Sequence, residues 1–293
     1  MKGLIFINPF LVPVQSVHQA QRLVQEFNKL GVEIEVVSDG FSHVSLSGDG
    51  ALINMPTPDF AVYLDKDKYL SEILEKNGLR LFNKHDAVRV CDDKAQTYIA
   101  LSGKGVQIPK TVFGGLCYSK DLSVKKEWAE NIATKLGFPV IVKESFGSMG
   151  KGVHKADNLE QLIAVMEQVK LKPHLYQEYI PHKVGVDVRV IVIGGKVVAS
   201  MERCNENDFR SNVAQGGNGK KIDLPESFKV VAERCAEVLG LDYCGVDLLY
   251  GKDGQPIVCE VNSNAFFDGI ENISGVNVAK AYAHHIIKTI NNK

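Results

Sequence analysis

The sequence lacks the features that mark several classes of protein. Its 293 residues contain no apolar run near the roughly 18 residues that a transmembrane helix requires, so we expect no membrane span. The 34 Lys and Arg residues nearly balance the 35 Asp and Glu residues, which leaves a formal net charge of -1. This balance argues against general nucleic-acid binding by charge and provides no basic face for a membrane surface.

The six cysteines, at positions 91, 117, 204, 235, 244 and 259, form no Cys-x-x-Cys pair and no His/Cys ligand spacing. We therefore expect no zinc site, and reduced, packed thiols of this kind are typical of a cytoplasmic protein. The eight histidines show no metalloprotease or triad spacing, and no Gly-x-Ser-x-Gly elbow occurs. Nucleophilic catalysis by the protein therefore has no candidate residue.

The composition, with 45% hydrophobic and 24% charged residues, is that of an ordinary globular protein. At about 100–200 residues per domain, a chain of this length predicts two or three domains. Residues 1–82 alternate short apolar strands with helical periodicity, which predicts an α/β domain with a parallel sheet. Within it, Ser16 with Gln19 predicts a helix start, and residues 42–50 are predicted to form a polar loop. No Gly-x-Gly-x-x-Gly follows the first strand, so no dinucleotide site is predicted there.

The strand and helix patterns in the rest of the chain predict two further domains, at residues 83–184 and 185–293. The first contains an apolar strand, 138–143, followed by a glycine-rich segment, 147–152. The second contains two pairs of strand-like runs with turn signals between them, which predict β-hairpins. These pairs are 187–193 with 196–201, and 245–250 with 256–262.

The second predicted hairpin carries a group of oxygen ligands. Glu260 and Asn262 are two residues apart on one strand, so their side chains point to the same face. Asp247 lies on the partner strand and can reach the same point. Two carboxylates and an amide oxygen suit Mg²⁺ that is held jointly by protein and phosphates. The alternative is a solvated acidic patch at a strand end, although the apolar run 257–259 before Glu260 argues against an exposed edge.

The predicted strand 138–143 ends in Lys143, directly before the glycine-rich segment. A lysine offers a point charge to phosphate, and glycines allow backbone N–H groups to close around oxygens. The segment is not a Walker A loop, because Gly150 and Lys151 are followed by glycine rather than Ser or Thr. The alternative is a mobile hairpin with a lysine whose ammonium reaches solvent.

Further basic residues recur along the chain, although each alone is more often a surface residue than a ligand. They are Lys94, Arg189, Arg203 and Arg210. On the first predicted hairpin, Asp187 and Arg189 share one face of an otherwise apolar strand. A carboxylate and a guanidinium are expensive to bury there unless they are paired or used.

Together these segments resemble the ATP-grasp superfamily, most closely its RimK-like carboxylate–amine ligases, over about residues 83–293. Each matching segment is a weak signal alone, but the ordered series is specific. In order, the segments are 93–94, 106–111, 140–143, 147–152, 177–180, 187–189, 202–203, 208–212, 245–247 and 260–262. The resemblance implies an α/β (α+β) chain with an ATP-grasp fold that follows an N-terminal α/β parallel-sheet domain.

The resemblance also implies roles for individual residues. Lys94 and Lys143 are expected to contact ATP phosphates, and Asp187 is expected to bind the ribose end. The backbone of Glu178–Ile180 is expected to hold adenine. The full nucleotide-binding set that it implies is Lys94, Lys143, Ser148, Gly150, Gln177, Glu178, Tyr179, Ile180, Asp187, Arg189, Arg210, Ser211 and Asn212.

The metal and catalytic residues follow from the same resemblance. Asp247, Glu260 and Asn262 are expected to hold two Mg²⁺ ions, with Glu260 bridging them and Mn²⁺ able to replace Mg²⁺. Arg203 is expected to meet the reacting acyl group, and Arg210, as a second catalytic residue, to meet the phosphates together with Asn212.

The implied activity is ATP-dependent formation of an amide bond through an acylphosphate. L-Glutamate is the expected amine, and the acceptor is the carboxylate of a protein C-terminus or a small molecule. Homo-oligomers are common among such proteins. The alternatives are a ligase for another amino acid or a biosynthetic carrier, and an inactive nucleotide-binding regulatory protein.

One departure concerns the segment after Asn262. Many relatives have a small residue, Pro and Gly there, whereas this chain continues with residues 263–271, Ser-Asn-Ala-Phe-Phe-Asp-Gly-Ile-Glu. A different turn beside the acceptor site is therefore expected.

Overall fold

The computed structural model describes residues 1–10, 14–55, 57–148, 150–211 and 218–292. These residues form three sheets of four or five strands and one separate two-stranded hairpin, with helices packed around them. Asn212, a predicted nucleotide ligand, lies outside the described residues. Of the helices in the described ranges, none is both long and apolar enough to cross a membrane.

The first part of the chain forms a parallel sheet, as its alternating pattern predicts. Its elements are β1 (Lys2–Ile7), α1 (Val14–Lys29), β2 (Glu33–Val37), β3 (Val44–Ser47), β4 (Gly50–Ile53), β5 (Phe60–Leu64), α2 (Lys68–Lys76) and β6 (Leu81–Phe82). The sheet has the order β2-β1-β5-β6, and all its pairs are parallel. We call it the N-terminal sheet. Strand β5 is buried along its whole length, which explains its unbroken apolar sequence.

Two local predictions for this part are wrong. The predicted polar loop at residues 42–50 contains the last two residues of a short 3-10 turn, Gly40–His43, and strand β3, which pairs with β4 as an antiparallel hairpin. The period-two pattern of Val44 and Leu46 is the strand signal there, and the surrounding Ser, Gly and Asp residues obscure it. Helix α1 begins before Ser16, so Ser16 and Gln19 are not a capping box. Gln19 is instead buried and donates to the carbonyl of Ala265 at 3.1 Å.

The middle of the chain forms an antiparallel sheet, which we call the central sheet. Its elements are α3 (His85–Asp92), α4 (Lys94–Leu101), β7 (Thr111–Phe113), α5 (Lys126–Leu136), β8 (Val140–Glu144), β9 (Val153–Ala156), α6 (Leu159–Val169) and β10 (His174–Glu178). The strand order is β7-β10-β8-β9. Helices α5 and α6 cover this sheet with apolar side chains that include Ala129, Leu162 and Met166. The predicted glycine-rich segment is the connection between β8 and β9.

The last part of the chain contains both predicted hairpins in one antiparallel sheet, which we call the large sheet. Its elements are β11 (Val186–Ile193), β12 (Lys196–Cys204), β13 (Asn218–Lys220), α7 (Glu226–Leu239), β14 (Tyr243–Tyr250), β15 (Pro256–Asn262), α8 (Asp268–Ser274) and α9 (Val278–Asn291). The strand order is β13-β12-β11-β14-β15.

The large sheet is buried on both faces, and this positions the site. One face packs against α7 with residues of α3 and α4, including Cys91 and Leu101. The other face shares a hydrophobic core with α1, α9 and the N-terminal sheet. Packing therefore crosses the expected boundaries at residues 82/83 and 184/185, and the division into three domains stays a prediction.

Candidate functional site

A cleft lies between the central sheet and the large sheet and encloses about 960 Å³, part of it open to solvent. It is lined by the glycine-rich connection, the segment from β10 to β11 and the ends of β14 and β15. Most of the predicted site residues line it: Lys94, Lys143, Ser148, Gly150, Gln177, Glu178, Tyr179, Ile180, Asp187, Arg210, Ser211, Asp247 and Glu260. Of the remaining described candidates, Arg189, Arg203 and Asn262 are not among the lining residues.

Lys143 is a buried cation on the wall of the cleft. It comes near the end of β8, whose preceding residues, Val140 and Val142, are fully buried. Its Nζ donates to the hydroxyl of Tyr98 at 3.4 Å. Burial opposes the charged form, but the neighbouring Tyr98 and Glu260 raise the pKa of Lys143 above its usual range. The lysine therefore stays charged and lacks a carboxylate partner within ion-pair distance among the described residues.

Two other cations hold the glycine-rich connection. Lys94 follows Asp93, which caps α4, and its Nζ donates to the carbonyl of Gly147 at 2.7 Å. The same Nζ lies 3.4 Å from Oε1 of Glu260. Arg210 donates to the carbonyl of Gly150 at 3.1 Å and pairs with Asp208 at 2.7 Å. The two cations thus lie against the connection from different elements.

The connection itself requires glycine. Gly147, Gly150 and Gly152 have φ values of 133°, 73° and 72°. Residues with a Cβ rarely adopt such values. A Cβ on Gly152 would also lie 2.9 Å from the side chain of Glu144. The glycines in this segment therefore fix a backbone path that other residues would strain.

The end of β10 and the residues that follow it line the cleft. The side chain of Gln177 donates to the hydroxyl of Thr111 at 2.9 Å, and Glu178 accepts from the backbone N–H of Lys110 at 2.7 Å. These two side chains are therefore committed to the neighbouring chain segment. Next along the chain, the ring of Tyr179 lies 5.4 Å from Nζ of Lys155.

Beneath the cleft, two arginines and two aspartates form a buried network, which we call the ion-pair floor. Arg189 donates to both carboxylate oxygens of Asp247, at 2.8 and 2.7 Å. Arg203 donates to both oxygens of Asp187 and lies 3.0 Å from Oδ2 of Asp247. The side chains of Arg203 and Asp247 are only 3% and 2% exposed.

The strand register explains this network. Arg189 lies opposite Asp247 in the pairing of β11 with β14, and Asp187 lies opposite Arg203 in the pairing of β11 with β12. Burial opposes ionisation of Asp247, yet the guanidiniums of Arg189 and Arg203 lower the pKa of its carboxyl. Burial raises the pKa of Asp187. The network places Arg203 below the cleft, so its contact with an acyl group and the ribose contact of Asp187 stay predictions.

The predicted metal ligands lie on the paired strands β14 and β15, and we call this part of the molecule the metal end of the cleft. Asp247 and Glu260 line the cleft, whereas Asn262 does not. Glu260 lies opposite Asp247 in the pairing of β14 with β15, and its side chain is 26% exposed. Asn262 has a buried Nδ2 without a hydrogen-bond partner. Because the nitrogen and oxygen of an amide interchange by rotation, this side chain can present an oxygen there.

The donor set fits a magnesium-like cation through the Glu260 carboxylate and the Asn262 amide, which are hard oxygen ligands. Both oxygens of Asp247 already accept from arginine. Across the described ranges, no group of three or more His, Cys, Asp and Glu residues is arranged to hold a metal ion. A metal site formed by these residues therefore requires the amide oxygen of Asn262 as a ligand in addition to Glu260.

The segment after Asn262, where the sequence departs from the expected turn, is anchored to the N-terminal sheet. The carbonyl of Ser263 accepts from Asn83 at 2.7 Å, and Asn264 donates to the carbonyl of Leu64 at 2.6 Å. The carbonyl of Ala265 accepts from Tyr243 at 2.5 Å. Helix α8 follows this segment, and the sequence analysis did not predict it.

The sequence analysis did not single out the other lining residues of the cleft, although some of them lie within segments that carried the resemblance. They are Pro109, Ile141, Gly147, Lys151, Val153, His182, Lys183, Val184, Gly185, Val186, Phe209, Leu249 and Cys259. Lys151 lies within the glycine-rich segment, so its position was a usable signal. Lys183 had none, because its place depends on a φ of 46° and on its position over the ring of Tyr250, 3.7 Å from the centroid.

This arrangement of two sheets around a cleft is the ATP-grasp fold. The chain superposes on the RimK domain ATP-grasp protein from Sphaerobacter thermophilus with a TM-score of 0.72 and 19% identity. The match covers 98% of this chain and 100% of that chain. At this identity the likeness shows the fold.

The particular family follows from the sequence. The family model described as a RimK-like ATP-grasp domain matches residues 91–286, and the chain belongs to this family. It is 31% identical to a probable alpha-L-glutamate ligase from Marinomonas sp. over 93% of this chain and 92% of that protein. It is 35% identical to human N-acetylaspartylglutamate synthase A over 84% of this chain, but it spans only 61% of that protein's length. The resemblance read from the ordered motifs is confirmed.

Proposed function

We propose that the protein is an ATP- and Mg²⁺-dependent ligase that joins the amine of L-glutamate to a carboxylate acceptor. The observation that carries the proposal is the convergence of three cations and a glycine-rich connection beside Glu260 in a single cleft. The names of the relatives, a probable alpha-L-glutamate ligase and N-acetylaspartylglutamate synthase A, support glutamate as the amine.

The cleft suits a nucleoside triphosphate. Lys143, Lys94 and Arg210 supply positive charge for the phosphates, and the backbone around Gly150 can follow phosphate oxygens closely. The committed side chains of Gln177 and Glu178 leave the backbone of the next residues for the edge of adenine. Asn212 remains part of this proposal, as a phosphate ligand outside the described residues.

Glu260 and Asn262 would hold Mg²⁺ together with phosphate oxygens. When bound, Mg²⁺ offsets the charge that develops on the transferring phosphoryl group. Asp247 lies on the adjacent strand, and both of its oxygens already accept from Arg189 and Arg203. In this structure its direct effect is therefore to fix the position of the strand that carries Glu260.

The reaction needs no nucleophile from the protein. An oxygen of the acceptor carboxylate attacks the γ-phosphorus of ATP, the bond to the β-γ bridging oxygen breaks, and ADP leaves. The glutamate amine then attacks the acyl carbon, loses a proton, and phosphate leaves as the amide forms. The protein orients the two reactants and excludes water from the acylphosphate. In this proposal the glycine-rich connection, which Lys94 and Arg210 already contact, covers the site.

The test is ADP release from purified protein with ATP and Mg²⁺, measured across the twenty amino acids and several carboxylates. The carboxylates are short peptides, N-acetylaspartate, citrate and cell extract, and mass spectrometry identifies the product. The expected result is ADP release with L-glutamate and a product heavier by one glutamyl residue. Release with a different amino acid would replace glutamate as the amine. ATP binding without ADP for any pair would contradict the ligase and favour a regulatory nucleotide-binding protein.

A further inference from the structure

A second large crevice lies outside the nucleotide cleft, at the carboxyl ends of the N-terminal strands. It encloses about 1000 Å³, part of it open to solvent, and is lined by the loops after β1, β2 and β5. Strands β1 and β5 are neighbours in the sheet. Strand β2 lies on the outer side of β1 and β6 lies on the outer side of β5, so the direction in which strands are added reverses between β1 and β5. Ligands of open α/β sheets bind at this switch point. Here Asn8, after β1, donates to Asp65, after β5, at 2.9 Å.

The crevice is tied to the metal end of the nucleotide cleft by two short connections. The carbonyl of Leu64, at the end of β5, accepts from Asn264, which is two residues beyond Asn262. An extended chain advances at most about 3.6 Å per residue, so Asn262 and Asn264 lie within about 7 Å of each other. On the other side, Lys66 pairs with Asp92 at 2.8 Å, two residues before Lys94. Segments that flank the crevice are therefore direct neighbours of the segments that carry Glu260, Asn262 and Lys94.

The crevice wall carries aromatic rings that the fold leaves uncovered. Phe10, Phe41 and Tyr69 are 86%, 52% and 69% exposed. The rings of Phe10 and Phe41 stack with centroids 6.4 Å apart. Exposed apolar groups that lie together in a concave surface are typical of a binding site. Phe10 follows β1, Phe41 lies in the short 3-10 turn after β2, and Tyr69 lies in the first turn of α2, so no shared helix or strand pattern explains them.

The charge of the crevice is negative. Asp65 and Asp67 line it, and its one lysine, Lys66, is already paired with Asp92. Carboxylates attract ammonium and guanidinium groups and repel anions, and the faces of aromatic rings also attract cations. A small polycarboxylate would meet two carboxylates and no free cation among the described lining residues. A peptide with a cationic or aromatic side chain would meet complementary groups.

We propose that this crevice binds the body of a peptide acceptor. The C-terminal carboxylate of that peptide would reach the metal end of the cleft, and the preceding side chains, aromatic or cationic, would occupy the crevice. This inference rests on the proposed ligase function for the fate of the carboxylate, but peptide binding itself does not require turnover. The volume of the crevice accommodates a few residues in addition to the nucleotide in its own cleft.

The test compares two tripeptides with the same last residue, Lys-Phe-Ala and Asp-Glu-Ala. Calorimetric titration of the full chain measures their binding, and glutamate-dependent ADP release measures their use. The variant Phe10→Ser with Phe41→Ser removes the ring pair. The matched control Tyr118→Ser removes a ring that is 91% exposed in the connection from β7 to α5, away from the crevice.

A third variant isolates the charge. Asp67 accepts from the backbone N–H groups of Tyr69 and Leu70 at 2.9 and 3.2 Å as the cap of α2. Asn caps helices as well as Asp does, so Asp67→Asn removes the charge and keeps the helix start.

We expect Lys-Phe-Ala to bind about tenfold more tightly than Asp-Glu-Ala. The double serine variant should lose most of this preference, Asp67→Asn should lose about two- to threefold, and Tyr118→Ser should retain it. Equal or reversed affinities, or an unchanged preference in the double variant, would overturn the inference. ADP release with citrate or N-acetylaspartate alone would also overturn it while leaving the ligase intact. Selective peptide binding without ADP release for any acceptor would support the crevice and contradict the ligase.

Discussion

The ion-pair floor and the glycine-rich connection are two parts of the same cleft with opposite electrostatic character. In the floor, each charged group pairs with another charged group, and the side chains of Arg203 and Asp247 are 3% and 2% exposed. At the connection, Lys94 and Arg210 donate to backbone carbonyls of Gly147 and Gly150, and their carboxylate neighbours, Glu260 and Asp208, are 26% and 22% exposed. A ligand anion can compete for such a cation with a carbonyl or a partly exposed carboxylate more easily than with a buried carboxylate.

This difference indicates that the ion-pair floor supports the structure of the site and that the cations above it are available to bind a ligand. The floor aligns β11, β12 and β14 through charges that satisfy one another, so it holds the position of Glu260 on β15. The cations at the connection and Lys143 retain capacity for phosphate oxygens. We therefore expect substitutions in the floor to act mainly on stability and substitutions above it to act mainly on turnover and nucleotide affinity.

The largest expected effect is on the floor itself. Replacing Arg203 with Met leaves Asp187 without its partner in a buried site, which should lower the free energy of unfolding by about 3–5 kcal/mol. Urea denaturation measures this loss. Adding Asp187→Asn should recover part of it, because the second change removes the uncompensated charge. An unchanged free energy of unfolding in Arg203→Met would show that the arginine is not a structural partner of these aspartates.

The next effect concerns Glu260, which combines cleft exposure with the predicted metal contact. Glu260→Gln should lower kcat by about 10²–10³-fold, because a preorganised charge at the reacting phosphate is lost. The melting temperature should stay close to that of the unmodified chain. The matched control is Glu237→Gln on α7, where the side chain is 69% exposed and pairs with Arg234. Near-normal turnover of Glu260→Gln would remove this residue from the proposed metal site.

A smaller effect is expected for Lys143. Lys143→Met removes the charge-assisted contact that we propose to phosphate and should raise the KM for ATP about 10–100-fold. Steady-state kinetics with varied ATP measures the change, and Lys135→Met on the exposed face of α5 is the control. Equal KM values for the two variants would mean that Lys143 does not contact the nucleotide.

The smallest expected effect is on the free energy of unfolding and concerns an ion pair outside the cleft. Asp242 pairs with Arg80 at 2.7 Å and with His285 at 3.2 Å, which links the N-terminal sheet to α9. Burial opposes ionisation, but His285 and Arg80 lower the pKa of Asp242 below its ordinary value of 3.8. Its stabilisation is therefore present above about pH 4 and is lost as the pH falls through the folded-state pKa.

Asp242→Asn should accordingly lower the free energy of unfolding by about 1 kcal/mol at neutral pH. The difference between the variant and the unmodified chain should shrink below about pH 4. Denaturation series at pH 7 and below pH 4 check this. A difference that does not change with pH would show that the charge of Asp242 contributes nothing.

Period-two alternation and turn signals predicted the strands that carry the site. The shared face of Glu260 and Asn262, the Lys143 strand end and the glycine-rich segment all follow from local spacing. Alternation fixes the face of a side chain but not its partner on the next strand. The sequence therefore indicated that Asp187 and Arg189 needed partners without showing that these were Arg203 and Asp247.

Features built from distant segments were not predictable in the same way. The crevice brings together Phe10, Phe41 and Tyr69 from three separate parts of the N-terminal sequence, and none of the three has a local pattern that marks it as a ligand contact. The path of the segment after Asn262 depends on hydrogen bonds to Asn83 and Leu64. Both features follow from the register of the sheets, which the spacing of residues within one segment does not encode.

The most direct test of the division between floor and binding groups is a calorimetric titration with AMPPNP, a non-hydrolysable ATP analogue, in the presence and absence of Mg²⁺. We expect one site per chain in the unmodified protein, with tighter binding when Mg²⁺ is present. In Glu260→Gln, the gain from Mg²⁺ should disappear while the melting temperature stays unchanged. Absence of binding, or an equal gain from Mg²⁺ in both proteins, would contradict the account.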